Sequence, residues 1–179
     1  LQHPQPVGHC AAAKVRRTAT VTTSAAPPSV PPATDLIQRT EDGFGQGKVL
    51  VSPLGLSLVA ATVANDGKRP VPQLILGKPT TVTGPTPALE PGVVDKLRPM
   101  MRAVVTEGTG TTIAEQGEIY GKTGEAEFDG GSHAWFAGYR GDLAFATLVV
   151  RGADSNNAVA VTRDFFNFLP PGYATATRP

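Results

Sequence analysis

The pattern of apolar positions changes character near residue 35. Thr18–Thr34 is built from Thr, Ala, Ser, Pro and Val, with Pro27-Pro28 and Pro31-Pro32 interrupting any regular backbone and nothing large to bury. That composition predicts an extended or disordered lead-in over residues 1–34. Beyond it, Gly43-Phe44-Gly45-Gln46-Gly47 forms a glycine-rich turn. Ser52 then reads as an N-cap with Pro53 at the first helical position, where its missing N–H costs nothing. Leu54, Leu58 and Ala61 follow at helical spacing, and Asn65-Asp66-Gly67 is a stop. Residues 70–90 alternate briefly at Val71, Gln73 and Ile75 among prolines and glycines, which predicts short strands and loops.

A second helix is expected over about residues 92–107, with Val93, Leu97, Met100 or Met101, and Val104 inward. Pro99 lies inside it and is expected to kink it, and Gly108-Thr109-Gly110-Thr111 ends it. Three strands follow at about 117–126, 133–140 and 143–151. Arg140-Gly141-Asp142 makes a tight turn between the last two, favouring an antiparallel hairpin. Asp154-Ser155-Asn156 caps a final helix with Val161, Phe165 and Phe168 on one face, and Pro170-Pro171-Gly172 ends it. The sum is an α+β fold, an antiparallel sheet flanked by helices. The domain spans 35–170 with a tail at 171–179.

Composition narrows the function classes. A chain of 179 residues, 40% hydrophobic and 17% charged, holds one globular domain with a sizeable core. A formal net charge of +1 gives no reason to expect nucleic acid as a partner. The single cysteine, Cys10, rules out an internal disulfide framework. No apolar run reaches the roughly 18 residues of a membrane span; Val49–Ala64 is broken by Ser52, Pro53, Gly55 and Ser57. No signal-peptide pattern is present, and a chain starting at Leu1 is expected to be a piece of a longer protein.

The chemistry concentrates in Gly121-Lys122-Thr123-Gly124-Glu125-Ala126-Glu127. A phosphate loop is excluded by spacing, because its first glycine would fall at Gln116. On a strand, Lys122 supplies a point charge beside a serine site and Thr123 a hydroxyl for a substrate carboxylate. Gly124 permits close approach of the substrate to the backbone, and N–H groups there can face a developing oxyanion. The competing reading is a solvated turn between strands.

The flanking blocks resemble the transpeptidase domain of penicillin-binding proteins. Gly45-Gln46-Gly47 with Val51-Ser52-Pro53-Leu54 is similar to the family's Gly-Gln-Gly turn and Thr/Ser-Pro helix. Val104-Val105-x-x-Gly108-Thr109-Gly110-Thr111 resembles the stretch before its active-site strand. Residues 121–127 resemble that strand, and His133-Ala134-Trp135-Phe136-x-Gly138-Tyr139 the next one. The blocks run in order from roughly Asp42 to Leu169 and look closest to monofunctional, class B-like members. The resemblance implies the C-terminal part of the transpeptidase fold and serine acyl transfer on D-Ala-D-Ala stem peptides of peptidoglycan. It also implies covalent capture by β-lactams, no cofactor, and a place on the extracytoplasmic face of a bacterial membrane. Lys122 and Thr123 would bind and orient the substrate carboxylate, and the Glu125 N–H would be one oxyanion donor.

The chain departs from the family in several places. None of its serines begins Ser-x-x-Lys: the third residue after Ser24, Ser29, Ser52, Ser57, Ser132 and Ser155 is Pro27, Pro32, Gly55, Ala60, Trp135 and Ala158. The nucleophile is therefore expected in a missing N-terminal part of the same protein, and this chain alone is expected to be inactive. Ser155-x-Asn157 spells Ser-x-Asn but follows the Lys-Thr-Gly strand, and reads as a helix cap. Glu125 stands where the family often has threonine or serine, placed to repel a β-lactam carboxylate or to pair with Lys122. His133 reads as structural; Trp135 and Phe136 point to opposite sheet faces. Asp154 and Glu127 have no cluster to make them metal ligands. Two other identities compete, a serine β-lactamase and a truncated, non-catalytic domain such as a pseudoenzyme or gene remnant. Without the rest of the domain, residues 35–170 are expected to expose apolar surface and be poorly soluble.

Overall fold

A computed structural model describes residues 8–14 as backbone and residues 27–73 and 86–173 in full. Four antiparallel strands form one sheet in the order β1-β4-β3-β2: β1 Gly8–Lys14, β2 Ile119–Phe128, β3 Gly131–Arg140 and β4 Leu143–Val149. The turns set this register. Phe128 faces Gly131 across Asp129-Gly130, and Arg140 faces Leu143 across Gly141-Asp142. Gly130 (φ 83°) and Gly141 (φ 55°) occupy the left-handed region, which glycine reaches at no steric cost.

β1 lies inside the segment expected to be a lead-in. It pairs with β4 from Gly8↔Val149 to Lys14↔Leu143. Composition gave no sign of it because a strand added to an existing edge is held by main-chain hydrogen bonds, which small residues make as well as large ones. Ser29 forms an isolated antiparallel bridge with Leu50. Residues 15–26, Ile75 with the rest of 74–85, and the tail beyond 173 lie outside the described residues; residues 70–73 and 86–90 contain no strand.

Four α-helices complete the fold: α1 Leu36–Gly43, α2 Pro53–Ala64, α3 Val93–Thr106 and α4 Ser155–Asn167, with a 3₁₀ turn at Thr111–Gln116. α1, unforeseen in the sequence, is capped by Asp35, which accepts from Gln38 N. α2 starts as expected, its Ser52 side chain accepting from Gly55 N with Pro53 in the first turn, and Leu58 and Ala61 are buried while Leu54 is half-buried. α3 runs through Pro99, and its inward face is Val94, Leu97, Met101 and Val105, with the expected Val104 partly buried against the same core as Val105, so only Val93 gives way to its neighbour Val94. Met100 is 64% exposed. Spacing alone cannot choose between adjacent valines, and α3 serves two cores at once. Val105 joins Phe136, Phe145 and α4 on one face of the sheet, while Val94 joins Tyr139, Ala144 and α2 on the other.

Ala158, Val159, Thr162 and Phe166 of α4 are buried against the sheet, and the expected Val161 and Phe165 pack partly buried against the same core, while Phe168, at 88% exposure, points to solvent. The helix is fixed at its start, where Asp154 accepts from Asn156 N and the Glu125 carboxylate of β2 accepts from Ser155 N at 3.0 Å. A carboxylate at this end satisfies an otherwise orphaned donor and meets the positive end of the helix dipole. Ser155 and Asn157 thus belong to the first turn of α4, and Asn157 Nδ2 donates to Gly152 O.

Two outcomes follow from this architecture. A chain beginning at Asp35 lacks β1 and bares the β4 edge, in addition to Leu36 (78% exposed), Ile37 (73%) and Phe44 (69%). By size-exclusion chromatography with light scattering it is expected to associate more than the 179-residue chain; a monodisperse monomer would contradict this. Glu125→Ala is expected to cost about 1 kcal/mol in urea unfolding, as a lost helix cap does, with Glu125→Gln costing less because it keeps an acceptor.

Candidate functional site

β2 is an outer strand, and its free edge is the centre of the site. Backbone groups alternate along an antiparallel strand, with every second residue turned away from the partner. Gln46 Nε2 donates to Glu125 O at 2.8 Å, and Arg102 Nη1 to Ile119 O at 2.9 Å, so the odd-numbered residues face outward. The N–H groups of Thr123 and Glu125 therefore point off the sheet edge. Gln46 comes from the Gly-Gln-Gly turn, whose Gly45 (φ 87°) and Gly47 (φ 63°) are held in place by Asp42, the acceptor for Lys48 N at 2.9 Å.

Side chains alternate as well. Thr123 and Glu125 lie on the α4 face; Lys122 and Gly124 lie on the opposite face with Trp135. The structure thus brings Lys122, Thr123, Gly124 and Glu125 to one stretch of edge but splits their side chains between two faces. Lys122 is exposed, and its ammonium donates to Thr123 O at 2.8 Å; among the described residues no acid pairs with it. The expected pairing of Glu125 with Lys122 is set aside, because the Glu125 carboxylate is on the far face from Lys122 and bonded to Ser155 N. Thr123 is only 6% exposed, and its hydroxyl sits 2.6 Å from that of Thr109.

The neighbours are structural. Phe136 is fully buried and Trp135 half-buried, on opposite faces as alternation requires. His133 Nδ1 accepts from Arg151 N at 3.0 Å, and its ring lies 4.6 Å from Phe128, which uses it to tie β3 to the β4–α4 connection. The Tyr120 hydroxyl donates to Glu118 at 2.6 Å, and that carboxylate pushes the phenol up to about 12, so it is neutral and offers no base near pH 7. No group of three or more His, Cys, Asp or Glu is arranged to hold a metal among the described residues. No described helix is long and apolar enough to cross a membrane.

Sequence reasoning missed two contacts in this site. Gln46 and Thr109 each fell in a recognised block, but the signal gave only the block and not the atom it touches, because both partners are distant in sequence.

Comparison with known proteins agrees with the fold. A family model described as the penicillin-binding protein transpeptidase domain matches residues 24–167. The chain is similar to Pseudomonas aeruginosa PBP2, with 24% identity and a TM-score of 0.65 over 89% of this chain and 42% of that one. It is similar to PBPA from Mycobacterium tuberculosis, with 28% identity and a TM-score of 0.61 over 78% of this chain and 37% of that one. Penicillin-binding protein 2B of Streptococcus pneumoniae shares the fold at 20% identity, with a TM-score of 0.56 over 78% of this chain and 26% of that one. No curated protein sequence matches. The chain spans less than half the length of each of these structures. With its sheet, its Lys-Thr-Gly edge strand and its matched span, the chain belongs to the penicillin-binding protein transpeptidase domain family.

Proposed function

We propose that this chain supplies the Lys-Thr-Gly side of a D,D-transpeptidase site that crosslinks peptidoglycan stem peptides and is captured by β-lactams. The observation that carries the reading is the β2 edge, where the Glu125 N–H faces outward while Gln46 and Ser155 hold the same residue from two sides. A donor fixed in advance stabilises charge without reorganising during the reaction. In this reading a serine from the N-terminal part of the same protein attacks the carbonyl of the penultimate D-Ala. The tetrahedral oxyanion lies against Glu125 N–H and the serine's own N–H. Lys122, which has no acid partner among the described residues, attracts the terminal carboxylate, and Thr123 lies beside it. D-Ala then leaves, and the amine of a second stem peptide takes the acyl group. The site acts on the extracytoplasmic face of the membrane, where that substrate is. No cofactor enters these steps.

A non-catalytic domain is the second reading. It is favoured by the lack of a Ser-x-x-Lys serine in the chain and by the exposed Leu36, Ile37, Phe44 and Leu50.

Covalent labelling with a fluorescent penicillin separates the two. The 179-residue chain is expected to take no label. The longer protein, with its N-terminal part, is expected to label through serine, and Lys122→Ala is expected to slow that about a hundredfold, in the range of lost electrostatic stabilisers. Labelling of the short chain would place a nucleophile within it and overturn the assignment. A longer protein that never labels would establish the non-catalytic reading.

A further inference from the structure

We propose that Ser132 and His133 are positioning residues for acyl transfer, acting through the β4–α4 loop on the Glu125 N–H. This role rests on the transpeptidase reading above and adds residues that it does not include. The loop, residues 150–154, is strained. Among the described residues, Asp66, Arg151 and Ala153 are the non-glycine residues with positive φ, and Arg151 (55°) and Ala153 (57°) both lie here. A side chain in the left-handed region crowds the neighbouring carbonyl, and such residues persist where the surroundings over-determine them. Gly152 stands between the two. A Cβ there would come within 2.8 Å of the Ala134 Cβ and 2.9 Å of the Val149 Cβ, so the loop passes flush against the sheet.

The start of β3 holds the loop in that shape. Arg151 N donates to His133 Nδ1 at 3.0 Å. Ala153 N donates to Ser132 O at 3.1 Å, and Ser132 Oγ donates to Ala153 O at 2.6 Å. Each left-handed residue is thus fastened to one of two consecutive residues of β3. From the helix side, Asn157 Nδ2 donates to Gly152 O at 2.8 Å.

What the loop delivers is the first turn of α4. Ser155 is 8% exposed, and its N–H donates to the Glu125 carboxylate at 3.0 Å. Glu125 stands opposite Ala134 but turns its own N–H and C=O off the sheet, so the ladder to β3 does not fix them. Two contacts do: Gln46 on its carbonyl and Ser155 on its carboxylate. The direction of the oxyanion donor therefore depends on where the loop puts Ser155. Lys122 and Thr123, which meet the substrate carboxylate in this reading, make no hydrogen bond to the loop. Loosening the loop should thus act on the transition state and spare ground-state binding, because a displaced donor loses the charge that develops during reaction.

The test measures acylation of the longer protein by benzylpenicillin, with the binding constant and the acylation rate constant separated. His133→Phe keeps a ring beside Phe128 and removes the acceptor; His133→Asn keeps an acceptor near the place of Nδ1. His133→Phe is expected to lower the rate constant about tenfold, less than an oxyanion donor lost outright, with the binding constant unchanged. His133→Asn should restore the rate, and Ser132→Ala should lower it as His133→Phe does. In a Glu125→Ala background, where Ser155 has no carboxylate to hold, His133→Phe should have no further effect. Should His133→Phe fail to fold, Ser132→Ala against Ser132→Thr, which keeps the hydroxyl, gives the same comparison. An unchanged rate, equal losses in binding and rate, or an undiminished effect in the Glu125→Ala background would make these packing residues and overturn the inference. If the wild-type protein is not acylated at all, the transpeptidase reading fails first and the inference with it.

Discussion

Phe136 lies over Gly121, and the geometry of the site strand is inherited from that seat. A Cβ at residue 121 would fall 2.6 Å from both Cε2 and Cζ of the ring, so only glycine leaves the ring its place. The ring is fully buried and continues through Phe145 at 5.4 Å to Phe166 of α4 at another 5.4 Å. Burying a ring of this size contributes about 2–3 kcal/mol, more than a single edge hydrogen bond at about 1 kcal/mol. Lys122 and Thr123 are therefore placed by the core beneath them, and the polar contacts refine a position already set. A second close approach, of Gly138 to Tyr120 O, keeps β3 and β2 tight at the same Gly121–Gly138 pair.

An outer strand carries a hazard along with its chemistry, since its unpaired groups invite another strand. Here three of the outward carbonyls are answered by side chains: Ile119 by Arg102, Thr123 by Lys122, Glu125 by Gln46. Each answer comes from a side chain rather than a strand, which disfavours augmentation at those positions while the N–H groups still face out. The result is an edge with donors and few free acceptors, suited to an anion and unsuited to a neutral peptide strand. Alternation adds to this by sending the carboxylate of Glu125 to the far face, where the α4 N-terminus holds it.

β2, β3 and β4, the Gly141-Asp142 hairpin turn, α2 with its cap and the Lys-Thr-Gly segment were legible in the sequence, because each has a local signal within a few residues. β1 was not, since its place is set by main-chain pairing with the distant β4 edge. Neither was α1, eight residues long with Leu36 and Ile37 exposed, whose capping Asp35 is its clearest mark. The faces of α3 and α4 were legible in part: Leu97, Met101, Val104, Val161 and Phe165 pack on the core as expected, but Val94 rather than Val93, and Phe166 rather than Phe168, take the buried places, which only packing decides. In the site, residue identities could be read but not their pairing. The Thr109–Thr123 and Gln46–Glu125 contacts are 14 and 79 residues apart along the chain, beyond what local spacing encodes.

The exposure of this edge and the exposure of α1 are two sides of one physical fact. Two unit charges 4 Å apart interact by about 1 kcal/mol in water and by about 4 kcal/mol at the effective dielectric of a protein surface. Lys122, exposed on its strand, is therefore a weak anchor for a carboxylate while water surrounds it. The same holds for the outward N–H groups, whose stabilising value depends on a water-excluded site. Enclosure has to come from protein that packs against the open side of β2, and such packing needs apolar surface to hold it there. In the proposed reading, the exposed Leu36 and Ile37 of α1 and Phe44 just after it offer such surface, next to the Gly-Gln-Gly turn that Gln46 fastens to the edge. In the proposed reading, the segment that brings the nucleophile also dries the site. The donors on β2 would then gain their strength and their reaction partner in the same step.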